Sequence, residues 1–281
     1  MAFAAAGMSL AICDRDAASL EETARDATRR APRSAGLSGG PLIAVLDVRE
    51  SGSLRTFFSD VGRRFDHVDV LVNVVGGTFE APFVGTDRRG WDALIRTNYL
   101  WLLDAVSSAA ALMARDTASG VASGGSGGSI VNLTSIEAHR AAPGYAVYAS
   151  LKAAVTHLSG SLAVELGPSG IRVNCIACDF VPTPGMDALT GAHGSPADAS
   201  GQPDDALDAV TLPLGRKATP DDVANAALFL ASELSSSITG TTLHPDGGAL
   251  ASSGWLRWPD EGWRARPPGR TVAPADEPRR R

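Results

Sequence analysis

Cysteine is scarce, with three residues in a chain of 281. Three cannot build the disulfide framework of a small secreted domain, so a reducing cytoplasm is the expected setting. Cys175 and Cys178 form a C-x-x-C, but inside an apolar run and without a second pair of ligands. Neither a zinc nor a redox centre is expected there, and no metal site is expected elsewhere. Long apolar runs are missing too; none approaches the ~20 residues that cross a bilayer. The start, MAFAAAG, has no basic stretch and is too short for a secretory signal. Basic charge is not in excess: 25 Lys and Arg against 31 Asp and Glu give a net charge of -6. That balance argues against a general nucleic-acid binder, and the lack of a spanning run against a membrane partner. None of the five histidines lies in a recognisable triad context, and no nucleophile elbow surrounds Ser135, which counts against a hydrolase.

What is present alternates. Short apolar segments at 9–13, 42–46, 68–75, 130–135, 172–178 and 240–243 read as strands. Between them lie helical patterns at 1–6 (closed by Gly7), 16–30, 54–65, 87–115, 145–166 and 219–230. Leu54, Phe57, Phe58, Val61 and Phe65 repeat at helical spacing, and Thr219-Pro220 supplies an N-cap followed by proline at the first helical position. This alternation predicts an α/β fold with a doubly wound parallel sheet, Rossmann-like, over residues 1–250. Residues 117–128, rich in Gly and Ser, read as a surface loop. Residues 251–281 form a tail rich in Trp, Pro and Arg, in which Trp255, Trp258 and Trp263 call for burial on their own domain, a neighbouring subunit or the substrate mouth. In a doubly wound sheet, ligands gather beyond the carboxyl ends of the strands. Asp14, Asp47, Asn73 to Gly76, Ser135 and Cys178-Asp179 all fall at such ends.

The organising stretch is SIVNLTSIEAHRAAPGYAVYASLKAAVTHL, residues 129–158. A strand ends at Ser135, a Pro-Gly loop follows, and Tyr148 and Lys152 then sit four apart on one helix face. A cation beside a phenol favours the phenolate and is expected to lower its pKa towards working pH, where it can pass a proton. Ser135 would hold a carbonyl or hydroxyl oxygen against that phenol. Unaided, Tyr148 would be a packing aromatic and Lys152 a solvated surface charge.

At these residues the chain resembles the short-chain dehydrogenase/reductase family, whose signature is a Ser followed about a dozen residues later by Tyr-x-x-x-Lys. The resemblance covers about residues 2–250. It implies hydride transfer between a secondary alcohol or ketone and a nicotinamide, with Tyr148 exchanging the proton. Lys152 would tune the phenol and bind ribose, Ser135 would orient the substrate oxygen, and Asn98, within 87–115, would feed a proton relay. On the cofactor side the resemblance implies Asp14 at the adenosine ribose, favouring NAD over NADP, although the neighbouring Arg15 suits a 2′-phosphate. Asp47 and Val48 would meet the adenine, Asn73 and Gly76 match the ends of the family's Asn-Asn-Ala-Gly, and Thr183 would contact the nicotinamide carboxamide. Cys178-Asp179 stands where the family has Pro-Gly, and Asp179 is expected to crowd that edge. His139, Tyr145 and Met186 are further candidates for the pocket.

Relatives open with a strand and then Thr-Gly-x-x-x-Gly-x-Gly, and no such strand-to-helix turn occurs in this sequence. Gly124 to Gly128 precede a strand instead of following one. The expectation is therefore a chain that enters the family pattern after its first strand. The expected case is a true start upstream that carries the missing segment. Otherwise the strands at 9–13 and 68–75 pair directly, or the product is a defective relic. This sequence by itself is expected to bind cofactor poorly. A homodimer or homotetramer is implied through the helices at 87–115 and 145–166. The alternative function is a catalytically silent subunit that keeps the oligomer surface and holds no dinucleotide.

Overall fold

The computed structural model describes residues 1–32, 40–50, 52–114, 127–183, 204–254, 256–258 and 262–264. The 117–128 loop, the 184–203 segment with Met186, and Trp255 fall wholly or largely outside them. Strands and helices alternate as the apolar pattern predicts. A short helix α1 (Ala2–Ala5) leads to β1 (Ala11–Asp14), α2 (Ala17–Arg30), β2 (Leu42–Val45), α3 (Ser53–Phe65) and β3 (Val70–Asn73). Then come α4 (Arg88–Ile95), α5 (Trp101–Met113), β4 (Gly128–Leu133), α6 (Ala146–Leu166) and β5 (Ile171–Ile176). The chain continues through α7 (Asp204–Thr211), α8 (Pro220–Ala231) and β6 (Thr242–Leu243) to a hairpin of β7 (Leu256–Trp258) and β8 (Gly262–Arg264).

Local chemistry sets the boundaries. Gly7, at φ 83, closes α1 in a conformation that an L side chain resists. Asp16 caps α2 by accepting from the Ser19 amide at 3.0 Å. Thr219 and Asp222 form a reciprocal capping box on α8, with Pro220 in its first turn.

The sheet is parallel and lies in two parts. β1 pairs with β2, and the order β3-β4-β5-β6 makes up the rest. Side chains alternate across it. Leu71, Ile130, Ile171 and Val173 join α3, α5 and α6 in one core; Val72, Val131 and Ile176 join Phe3, Ala227 and Leu230 in another. Ala11, Cys13, Leu42 and Ala44 pack against the first core, so both parts of the sheet rest on the same helices. Among the described residues β1 and β3 do not hydrogen-bond to one another. The direct pairing that the sequence left open is therefore not made, and the shared helical layer rather than a continuous ladder joins the two parts.

Two further expectations change. The single helix over 87–115 is broken by a π turn at Arg96–Leu100, between α4 and α5. An extra residue in that turn releases Asn98 from the regular ladder and aims it inward. The tail contains an antiparallel β7–β8 hairpin in the register Arg257 to Trp263, with β7 against α7.

Gly127 and Gly128 are packed rather than loose. A Cβ on Gly127 would stand 2.0 Å from the Gly170 carbonyl oxygen, and one on Gly128 would stand 2.5 Å from Met113 Sδ. Gly127→Ala should therefore displace the start of β4 and cost about 1–3 kcal/mol of unfolding free energy, read from the denaturant midpoint. An unchanged midpoint would mean that the Gly170 turn yields freely.

Candidate active site

The site lies at the carboxyl ends of β3, β4 and β5. β4 ends at Leu133, and Ser135 then caps a single 3-10 turn, Ile136–Ala138, its Oγ accepting from the Glu137 amide at 3.2 Å. α6 starts after the positive-φ Gly144 and brings Tyr148 and Lys152 back across this turn. Ser135 is 8 % exposed and forms a side-chain hydrogen bond with the Tyr148 hydroxyl. Lys152 is 5 % exposed. Its Nζ donates to the Leu133 carbonyl at 3.1 Å and stands 5.7 Å from the centre of the Tyr148 ring.

Asn98 completes the group from the π turn. Its Nδ2 donates to the Gly77 carbonyl at 2.8 Å and to Leu94 O at 3.0 Å, and its Oδ1 accepts from the Gly77 amide at 3.2 Å. This grip pins the loop after β3. A Cβ on Gly76 would lie 3.1 Å from both Asn98 Oδ1 and Lys152 Nζ, so the backbone passes directly over both polar groups. Only glycine allows that approach without moving them.

Burial governs the proton affinities. It pushes the Tyr148 phenol up to about 12; Ser135 pulls down, while Cys178 and Glu137 add to the rise. The expected lowering by Lys152 is not among the influences on the phenol, and desolvation dominates. The same cause brings Lys152 down to about 8.

The remaining predicted residues divide. Asn73 is buried inside the sheet, its Nδ2 donating to Asn132 Oδ1 at 2.8 Å, and Asn132 Nδ2 donates to Ser159 Oγ on α6 at 2.9 Å. Its side chain thus ties β3, through Asn132 on β4, to α6. Asp14 is exposed at the end of β1 and accepts from the Asp16 amide at 2.9 Å. The Asp47 carboxylate is engaged by the Arg49 guanidinium at 2.5–3.0 Å, which holds it down at about 2, and Val48 packs towards the first core. Thr183 is half-buried at the end of the segment following β5.

Sequence spacing marks Asp179 only as a crowding charge and does not reveal its partner. Arg140 Nη2 reaches Glu137 Oε1 at 2.7 Å and Asp179 Oδ1 at 3.9 Å. The i,i+3 spacing of Glu137 and Arg140 is the one signal that could have found it, but only on a helical turn that the loop composition conceals. His139 meets His244 edge-on at 4.8 Å between ring centres. On the other side of Tyr148 an apolar pocket is lined by Phe79, Phe83, Leu94, Tyr145 and Val147, with Tyr145 Oη 3.3 Å from Glu80 Oε2.

Comparison with known proteins gives the family. A family model described as enoyl-(acyl carrier protein) reductase matches residues 1–249. The chain is 34% identical over 211 residues to an uncharacterized oxidoreductase of Schizosaccharomyces pombe, covering 74% of each. It is also 34% identical to the 3-oxoacyl-[acyl-carrier-protein] reductase FabG of Chlamydia pneumoniae, covering 76% of this chain and 78% of that one. A gluconate 5-dehydrogenase from Burkholderia cenocepacia, solved with NADP and tartrate, superposes with a TM-score of 0.72 at 30% identity, covering 89% and 88% of the two chains. A 7α-hydroxysteroid dehydrogenase solved with NADH gives 0.73 at 27% identity, covering 88% and 86%. The family match begins at residue 1, so the expectation of a chain entering the pattern after its first strand is not borne out: α1 and β1 are themselves family sequence. Nor do the comparisons favour NAD over NADP, since neighbours are solved with NADP as well as with NADH. The strand ends, the Ser135–Tyr148–Lys152–Asn98 group and the family match converge: this chain belongs to the short-chain dehydrogenase/reductase family, whose chemistry is NAD(P)-dependent oxidoreduction.

Proposed function

We propose that the protein interconverts a secondary alcohol and a ketone of small molecular size, using an NAD(P) cofactor. The observation that carries this reading is the convergence of Ser135, Tyr148, Lys152 and Asn98 under the Gly76–Gly77 backbone. In the reducing direction, the Ser135 hydroxyl and the Tyr148 phenol receive the substrate carbonyl oxygen, and Tyr148 supplies the proton that makes it an alcohol. Lys152 and Asn98 lie behind the phenol and hold the charge and the loop against which it works.

The residues present suit the nicotinamide ribose, since Gly76 leaves the room that a side chain would fill and Lys152 Nζ is directly beneath it. Lys152 and Tyr148 would hold that ribose, with Thr183 at the carboxamide, Asp14 at the adenosine ribose, and Asp47 and Val48 at the adenine. The bound nicotinamide supplies or accepts the hydride. For Asp47 this requires exchange with Arg49. Asn73 serves from behind, by fixing β3 against β4. Self-association through α5 and α6 is part of the same reading, supported by exposed Leu103 and Val164 on those helices. Among the described residues no helix is long and apolar enough to cross a membrane.

The competing reading is a silent subunit that keeps the oligomer surface and holds no dinucleotide. The two part company in the Tyr148→Phe variant. It should keep the wild-type thermal midpoint and lose turnover by at least about 100-fold with a panel of secondary alcohols and ketones. Turnover retained at the wild-type level would remove Tyr148 from the chemistry, and none in the parent chain with NADH or NADPH would favour the silent subunit.

Asp14 gives a second test. Its carboxylate repels a 2′-phosphate, so Asp14→Asn should move the NADP-to-NAD affinity ratio towards NADP by about tenfold. Ligand-induced shifts of the thermal midpoint read this without turnover. An unchanged ratio would place Asp14 outside the ribose site.

Lys152 gives a third. Its folded pKa of about 8 lies below the usual 10.5, so between those values the unfolded chain binds more protons than the folded one. Stability contributed by this group therefore rises with pH across that window. In Lys152→Met the rise should flatten, as measured by denaturant midpoints at successive pH values. A slope identical to the parent would mean that the ammonium is not desolvated.

A further inference from the structure

The loop that carries Ser135 and the loop after β5 are joined by a backbone bond, Ile136 N to Cys178 O at 3.1 Å. A second tie lies just outside it. Arg140 donates to Glu137 Oε1 from Nη2 at 2.7 Å and from Nε at 3.2 Å, and the same Nη2 stands 3.9 Å from Asp179 Oδ1. These side chains are 33 %, 22 % and 32 % exposed, so the group is partly withdrawn from solvent and less screened than a surface pair. Asp246 adds a nearby carboxylate, itself held by the Gly248 and Leu250 amides.

The phenol of Tyr148 faces this group. Lys152 approaches it from its own helix, Ser135 and Glu137 from the loop after β4, and Cys178 from the loop after β5. Further round the rim stand Asp179, Asp246, the His139–His244 pair, and Glu80 against Tyr145. Carboxylates outnumber cations in this set, and an uncompensated carboxylate holds a phenol in its protonated form.

We propose that Arg140 is a positioning residue, clamping Glu137 to the Asp179 loop and offsetting the Glu137 carboxylate that bears on the Tyr148 phenol. It acts through Glu137 and the Ser135 turn, not by touching the substrate oxygen. The proposal rests on the oxidoreductase reading for its effect on turnover, while its electrostatic part stands without it. Burial raises Asp179 while Arg140 pulls it down, so loss of the guanidinium would release Asp179 towards its protonated form. Glu137, the carboxylate acting on Tyr148, would lose its ion-pair partner.

The experiment uses the full chain with Arg140→Gln, Arg140→Lys, Glu137→Gln and the Arg140→Gln/Glu137→Gln double variant. Carboxylate titrations followed by carbon NMR require no turnover. The Asp179 midpoint should rise by about one pH unit in Arg140→Gln and return most of the way in Arg140→Lys. In alcohol oxidation, the acid limb of kcat/KM against pH should move up by about half a unit to one unit in Arg140→Gln. It should move down in Glu137→Gln and lie near the parent value in the double variant. Carboxylate midpoints unmoved in Arg140→Gln would overturn the clamp, as would a lowered thermal midpoint with an unmoved acid limb. If the parent chain turns over no alcohol with either dinucleotide, the oxidoreductase reading fails, and the NMR titration alone decides whether Arg140 balances its carboxylates.

Discussion

A buried lysine is the constraint from which most of this structure follows. Lys152 is 5 % exposed, and an ammonium group taken out of water is costly unless its protons find partners. The Leu133 carbonyl supplies one, at the point where β4 ends and the chain turns towards Ser135. Gly76 crosses above the same nitrogen, where a Cβ would stand 3.1 Å from it and press it aside. Asn98 then secures Gly77 through both of its backbone groups, and a π turn is what frees Asn98 to do so. Strand end, glycine crossing, π turn and helix are thus mutually dependent, and their common point is one nitrogen atom.

That assembly must be held to the sheet, and a line of buried amides does it. Asn73 and Asn132 occupy the same register of β3 and β4, so their side chains meet on one side of the ladder. Asn132 continues to Ser159, which also donates to Val155 O within α6. In a dry interior each of these groups would be costly if left unpaired, so the line favours one placement of α6 over others. The division of the sheet between β1 and β3 lies next to this line without interrupting it. The proposed catalytic group lies at the β3–β6 part, while Asp14 and Asp47, proposed for the adenosine end, lie at the β1–β2 part. The two halves of the proposed cofactor site therefore depend on different ladders joined through one helical layer.

Much of this is legible from residue spacing. Tyr148 and Lys152 lie four apart in a helix-forming segment after an apolar strand, and the strand ends place Asp14, Asn73 and Ser135 along one edge. Parallel order follows from alternation of the elements. What escapes is the geometry that depends on backbone detail. The pattern over 87–115 is continuously helical, so nothing in it announces a π turn. The polar loop after Ser135 hides a 3-10 turn, and with it the approach of Arg140 to Glu137. Spacing also points the wrong way on the Tyr148 shift. Lys152 is near the phenol, but proximity in sequence says nothing of how much water the ring loses, and that loss is the leading influence on its proton affinity. Asn73 matches a family position, yet its amide is used inside the sheet.

Burial alone works against the proposed chemistry. It drives Tyr148 towards the neutral phenol, at about 12, and Lys152 towards the neutral amine, at about 8. An enzyme of this kind needs the reverse: a cationic lysine beside a phenol able to give up its proton near working pH. The structure opposes the drift locally. The Leu133 carbonyl accepts from the ammonium, and the hydrogen bond from Ser135 favours the phenolate. Those two bonds act within the first layer around the reacting oxygen, while Glu137 pushes the phenol the wrong way from the next layer out. A guanidinium placed on Glu137 and near Asp179 opposes that push, because its charge falls on the carboxylate that acts on the phenol.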